Sequence, residues 1–362
     1  MTMAPHAGNA GTRFRGGRRV ALTGAALMCA FSLSACATEA EELATDGAAQ
    51  EATAASSSAG TRDGNPVAIA TGVNEQTRVA AHMYAQSLQD QGITATVVEA
   101  GTERGGLIDA LESGEVDVVP DFTGDLYVHV AENETRATPS ATPTPVPSAS
   151  KDPGLVGSLG QLLGFSSEAG PSGDDVYGAL PDAMPEGLKI LNESPGENTD
   201  RFVVTAATAV ELELNDLTTV AEHCPDMNVG MPGNYADTAQ GIKGLKSYYD
   251  CVPKSSPEFP DYAERVDALL NDDVQAAVLP ASTPVIEDDD LTVLADPNNL
   301  YRPEKLVPVT TGDLTADAIS AINGVTDGIR TQDLTMMTRL VTGQDPAMSP
   351  EEAATFLREQ PR

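Results

Sequence analysis

The chain has 362 residues, with 54 acids against 21 lysines and arginines and a formal net charge of −33. So acidic a surface argues against nucleic acid and anionic membrane faces as partners and favours solubility outside the cell, while leaving the charge of any internal cleft open. The length leaves enough folded chain for two lobes.

The first segment is a leader. Arg13, Arg15, Arg18 and Arg19 precede an uncharged apolar run, Val20 to Ala35, that closes on Leu33-Ser34-Ala35-Cys36. A basic start, a short apolar stretch and small residues before a cysteine describe a signal peptide over 1–35 with lipid attached to Cys36. The alternative, an uncleaved membrane anchor, needs about 20 apolar residues. Arg18-Arg19 does not decide the export route. Cleavage removes four arginines and no acids, so the mature charge is 17 minus 54, or −37. Residues 36–65, rich in Ala, Glu, Thr and Ser, read as a lipidated disordered tether. With Cys29 lost and Cys36 lipidated, Cys224 and Cys251 remain as a disulfide pair for an oxidising compartment. Two free thiols or a metal site are the alternatives.

From Pro66 the pattern becomes regular. Val67–Ala70 is apolar, Gly72 breaks it, and Asn74 leads a helical stretch with Val79 and Met83, and Ala80, Tyr84 and Leu88, four residues apart. Gly92 stops that helix. Thr94–Glu99 is a strand, Thr102–Gly106 a turn, Leu107–Glu112 a helix and Val116–Val119 a strand. This β-α-β-α-β order implies parallel strands with their following loops at one sheet edge, where ligands of open α/β sheets bind. Asn74-Glu75-Gln76 and Asp121-Phe122-Thr123-Gly124 both fall there.

Those two clusters, with Gly114-Glu115-Val116-Asp117-Val118 between them, resemble the opening of the osmoprotectant-binding proteins of ABC importers, the glycine betaine, choline and carnitine receptors. The resemblance implies a type II periplasmic-binding-protein fold, two α/β lobes with a cleft between them. It also implies delivery of a small polar or zwitterionic solute to an ABC permease with its ATPase, by a monomer held to the membrane through its lipid.

Relative to that pattern, 131–172 is an insertion whose Thr135–Ser150 part is low-complexity Pro/Thr/Ser. It reads as a tolerated surface loop, or as a carrier of sugar or a cell-wall contact. The pattern resumes at Asp174-Asp175-Val176-Tyr177. Strands follow at Leu188–Leu191, Arg201–Thr205, Met227–Met231 and Val274–Leu279. Helices are expected from Asn215-Asp216, at Ala236–Tyr249 and at Tyr262–Leu270. Leu291–Leu294 and Leu306–Thr310 are read as strands rebuilding the first lobe, with helices at Ala316–Thr326, at Gln332–Val341 and from Ser349-Pro350. The division is 66–197 for the first lobe, 198–281 for the second and 282–362 for the return, with hinges after Asn198 and before Ser282.

The resemblance places Asn74, Gln76, Thr123, Asn198, Thr199, Ser282 and Thr283 on the polar side of the solute, with Asp121, Phe122 and Tyr235 beside them. In the family, aromatic rings cage a quaternary ammonium. Here Phe122 stands where tyrosine is usual, Asp200 and Ala281 occupy two further ring positions, Pro284 replaces an aspartate, and Glu304 or Lys305 takes another ring position. Tyr127, Tyr235 and Tyr301 are the remaining ring candidates.

Each candidate also has an ordinary structural role open to it: helix capping for Asn74, backbone satisfaction for Asp121 and Thr123, a turn for Ser282-Thr283, and core packing for Phe122 and Tyr235. No histidine pair has metal spacing and no nucleophile elbow occurs, so neither a metal site nor an enzyme is expected, and no cofactor. A lipoprotein that docks to another envelope protein without binding solute is the other class left open.

Overall fold

The computed structural model describes residues 60–61, 63–137, 170–342 and 347–360. The leader, Cys36, most of the tether and most of the Pro/Thr/Ser stretch lie outside the described residues. The end of the tether is docked: Thr61 bridges to Leu314, and the Thr315 N–H donates to the Gly60 carbonyl at 3.0 Å.

In chain order the first part comprises β1 (Val67–Ala70), α1 (Glu75–Asp90), β2 (Ala95–Val98), α2 (Arg104–Glu112), β3 (Val118–Phe122), α3 (Thr123–Ala137), α4 (Gly173–Ala183) and β4 (Leu188–Ile190). A second part follows: β5 (Asp200–Val204), α5 (Ala206–Glu211), α6 (Leu217–Val220), β6 (Val229–Pro232), α7 (Ile242–Tyr249), β7 (Glu258–Phe259), α8 (Tyr262–Leu270), β8 (Ala276–Pro280), α9 (Val285–Asp288) and β9 (Thr292–Val293). The chain then returns as β10 (Leu306–Thr311), α10 (Ala316–Thr326), α11 (Thr331–Thr342) and α12 (Pro350–Glu359). Two five-stranded sheets result, β2-β1-β3-β10-β4 and β7-β6-β8-β5-β9. Each is the centre of one α/β lobe.

The expected parallel pairing holds for β1 with β2 and with β3, whereas β10 runs antiparallel between β3 and β4. Alternating side chains feed two layers in each lobe. Val118 and Leu306 pack under α1, α10, α11 and α12, while Val119 and Val307 pack against α2, α3 and α4. In the second lobe Phe202 and Val204 face one layer and Val203 the other. Fully burying each such side chain contributes about 1.5–3 kcal/mol. Cys224 and Cys251 form a disulfide with Cα atoms 5.4 Å apart inside the second lobe's core, a constraint contributing about 3 kcal/mol.

Local signals explain the helix starts. The Asn74 side chain accepts the Thr77 N–H at 3.0 Å and Thr77 Oγ1 accepts the Asn74 N–H at 2.9 Å, a reciprocal cap. Ser349 caps α12 ahead of Pro350 in the expected manner. Gly72, at φ +77°, lets the loop before Asn74 press onto β3: a Cβ there would meet the Pro120 carbonyl oxygen at 2.6 Å.

Three expectations change. The strand expected at Val116–Val119 starts later and runs to Phe122, because Asp117 is used at its foot, where its carboxylate accepts the Ala68 N–H at 2.8 Å. The helix expected over Ala236–Tyr249 begins only at Ile242. Thr238 diverts the preceding turn by donating to the Tyr235 carbonyl and accepting the Gly241 N–H. Thr292–Val293 does not rebuild the first lobe. It pairs with β5, so the second lobe extends past residue 282 and the chain crosses back at Arg302–Lys305 rather than before Ser282.

Candidate functional site

Two crossings join the lobes, and they lie against each other. Glu197 bridges to Lys305, the Asn198 N–H donates to the Glu304 carbonyl at 2.6 Å, and the Glu304 N–H donates to Thr199 Oγ1 at 3.0 Å. Beside them is a cavity of about 850 Å³ walled by both lobes. The first lobe supplies the loop after β1 (Val73, Asn74), the turn after β2 (Thr102 to Gly105) and the start of α3 with Phe122. Parallel β1, β2 and β3 bring those three connections to one edge, as the strand order predicts. The second lobe supplies Asp200 at the head of β5, Pro280 at the end of β8, and the 235–241 turn with Tyr235 and Thr238 to Gln240. Asn198, Arg302 and Glu304 come from the crossings.

The first-lobe wall is a fixed network of charge. Arg104 grips Asp121 through both prongs, at 2.7 and 2.9 Å, and its Nη2 lies 3.6 Å from Asp125. Arg302 pairs with Asp125 and, at 3.2 Å, with Glu304. The other Glu304 oxygen accepts the Gly124 and Asp125 N–H groups at 3.0 and 3.2 Å, placing a carboxylate at the positive end of α3. Gly124 permits this approach, since a Cβ there would lie 2.5 Å from the Pro303 carbonyl oxygen. Burial, reinforced by Asp125, raises the Glu304 carboxyl well above its ordinary range against the opposing pull of Arg302. Across the cavity, the Tyr235 hydroxyl donates to Asp200 Oδ2 at 2.8 Å. Burial also raises the Asp200 carboxyl, outweighing the Tyr235 bond and the attraction of Arg302.

A smaller recess of about 280 Å³ lies beside the cavity and shares Asn74 and Asn198 with it. Gln76 Nε2 lies 2.7 Å from Ser282 Oγ, spanning the two lobes, and 2.9 Å from Thr338 Oγ1. Ser282 in turn donates to Asn198 Oδ1. Thr283 is buried in the adjoining turn, its N–H on the Pro280 carbonyl.

The ten sequence candidates therefore divide. Asn74, Phe122, Asn198 and Tyr235 line the large cavity. Gln76, Ser282 and Thr283 line the recess. Asp121, Thr123 and Thr199, expected to face a solute, are buried beneath the wall: Asp121 holds Arg104, Thr123 exchanges hydrogen bonds with Lys305, and Thr199 supports Glu304. Tyr127 and Tyr301 are core residues of the first and second lobes. Missed entirely were Arg104, Asp125 and Arg302. Their signal was present, since each sits within three residues of a recognised motif or turn at the cleft edge.

A model of the family described as the substrate-binding domain of ABC-type glycine betaine transport systems (OpuAC) matches residues 65–359. The chain belongs to this family. Its members are binding domains and not enzymes. Among solved structures, a glycine betaine/carnitine/choline ABC transporter protein superposes with a TM-score of 0.63 at 18% identity, over 81% of this chain and 98% of that one. Apo YehZ from Escherichia coli gives a TM-score of 0.60 at 15% identity, over 82% and 98%. At such identities the likeness establishes the shared two-lobed fold. No curated protein sequence matches. Among the described residues no helix is long and apolar enough to cross a membrane, and no group of side chains is arranged to hold a metal ion.

Proposed function

We propose that this chain is an extracytoplasmic receptor, lipidated at Cys36, that closes two lobes over a small polar or zwitterionic solute and presents the closed form to an ABC permease. The observation that carries this reading is the cavity of about 850 Å³ walled from both lobes beside two adjacent crossings. A solute touching Phe122 or Asn74 on one side and Tyr235 or Asp200 on the other favours the shut state, because it binds that state with more contacts. The crossings at Asn198–Thr199 and Arg302–Lys305 act as the hinge. Asn74 has its carbonyl oxygen committed to the cap of α1, which leaves its amide nitrogen for the solute. The energy of uptake comes from the partner ATPase, and membrane attachment from the lipid.

Thermal shift of the full chain against a panel of small amines, betaines, amino acids and sugars tests the receptor. A rise of several degrees with one class is expected. A flat response throughout, with no solute carried through purification, would instead favour a protein that docks in the envelope without a ligand. Cys36→Ser is expected to move the protein from the membrane fraction to the medium.

A further inference from the structure

The cavity wall has a charge pattern that narrows the solute, and this step rests on the receptor reading above. Within the first-lobe network three carboxylates, Asp121, Asp125 and Glu304, answer two guanidiniums, Arg104 and Arg302. Asp200 and Glu103 add carboxylates to the lining, and among the described residues neither is in an ion pair within 4 Å. Asp200 is the most exacting of these groups. Its Oδ2 is held by the Tyr235 hydroxyl, its Oδ1 has no hydrogen-bond partner among the described residues, and the residue is partly exposed on the cavity lining. One carboxylate oxygen is thus fixed in direction, oriented by its neighbour and open to the cavity.

The rings available beside it are few. Among the described residues lining the cavity the benzenoid rings are Phe122 from the first lobe and Tyr235 from the second, with the His129 imidazole from α3, and the Tyr235 hydroxyl is spent on Asp200. A permethylated nitrogen has no N–H, so it is recognised best by several surrounding π-faces. A nitrogen that keeps its protons instead forms short charge-assisted hydrogen bonds to a carboxylate, with heavy atoms about 2.7–2.9 Å apart. A shell of methyl groups holds the same positive charge farther from the oxygen, and the Coulomb attraction falls with distance.

We infer that the solute carries a primary or secondary alkylammonium group, and that Asp200 Oδ1 accepts its N–H while Asp200 and Tyr235 together discriminate against fully N-methylated analogues. Asp200 is in this account a specificity-determining residue, positioned by the Tyr235 hydroxyl.

Titration calorimetry on the full chain with pairs differing only in N-methylation tests this: ethanolamine with choline, glycine with glycine betaine, and 1,4-diaminobutane with its hexamethyl analogue. In at least one pair the N–H member is expected to bind about tenfold or more tightly, the scale of one hydrogen bond to a charged group. Asp200→Asn should bring that ratio close to one, and Asp200→Glu should retain a preference, with unchanged circular dichroism in both. Equal or tighter binding of the methylated members overturns the inference while leaving the receptor reading intact. A ratio unaffected by Asp200→Asn also overturns it. Failure of every pair overturns it too, and only an additional flat response to uncharged and anionic solutes brings down the receptor.

Discussion

The cavity and the recess beside it lie in the same cleft and share Asn74 and Asn198, yet they are built from different chemistry. Around the recess, neutral amides and hydroxyls reach from lobe to lobe, with Gln76 on Ser282 and Ser282 on Asn198. Around the cavity, charged groups are satisfied within one lobe or by the crossings, as Arg104 by Asp121 and Asp200 by Tyr235. Neutral hydrogen bonds exchange with water at a net cost of about 1 kcal/mol each, which suits a contact that would break if the lobes part as proposed. Breaking a buried ion pair costs several times more, which suits a wall that would keep its shape in both of the proposed states.

The largest test of this division is Arg302→Ala. It strips the Glu304 carboxylate and the half-exposed Asp125 of their shared cation, and a loss of about 1.5–3 kcal/mol in urea denaturation is expected. Arg302→Ala combined with Glu304→Ala should recover part of that loss, the signature of coupling. Full additivity would mean the wall is not one network.

Next comes Gly124→Ala, which drives a methyl group into the Pro303 carbonyl and the Glu304 carboxylate. Such overpacking costs about 1–3 kcal/mol, and solute affinity should fall with it.

Asp200→Asn separates binding from stability. The folded-state Asp200 carboxyl lies above its unfolded value, so the stability linked to its protonated form is present below the unfolded pKa and lost as pH rises through the folded one. The unliganded variant should therefore match wild type near pH 3 and melt above it at pH 8. Binding of an ammonium solute to wild type should move the other way, weakening as acid neutralises the carboxylate. Parallel melting curves at both pH values would count against a buried charge at this position.

The smallest effect is at the recess. Gln76→Ala removes the lobe-to-lobe bond, worth about 1 kcal/mol, or roughly a fivefold shift toward the open form. Small-angle scattering of the unliganded chain should register a larger radius of gyration. Because no titratable group takes part, the shift should be the same at pH 5 and pH 8.

The fold was largely legible because its signals are local. The Asn74 and Ser349 caps, the four-residue apolar spacing of α1 and the runs of β1 and β8 each specify their element without long-range information. The limits of α8 and α10 agree with the pattern to the residue. What failed was pairing: nothing in Leu291–Leu294 tells which sheet will accept it, and the choice of β5 moved the return crossing. At the site, the polar residues flagged along the strand edge do cluster at the cleft, but their division into lining, inter-lobe bond and support is a matter of partners far along the chain. Thr123 meets Lys305 across 182 positions, and Gln76 meets Ser282 across 206. The charged wall escaped notice because Arg104 looks like part of a turn, and only the fold shows it to be the counter-charge of Asp121.

Gly170 has a mechanical consequence. Its N–H donates to the Asn298 carbonyl and its carbonyl accepts from Asn299, both in the second lobe, while α4, which starts three residues later, is embedded in the first. The two lobes are thus fastened at a further point outside the two crossings, in addition to the Gln76–Ser282 bond. If the lobes part as proposed, that clasp would have to let go or the chain between Gly170 and the Ser172 cap of α4 would have to give.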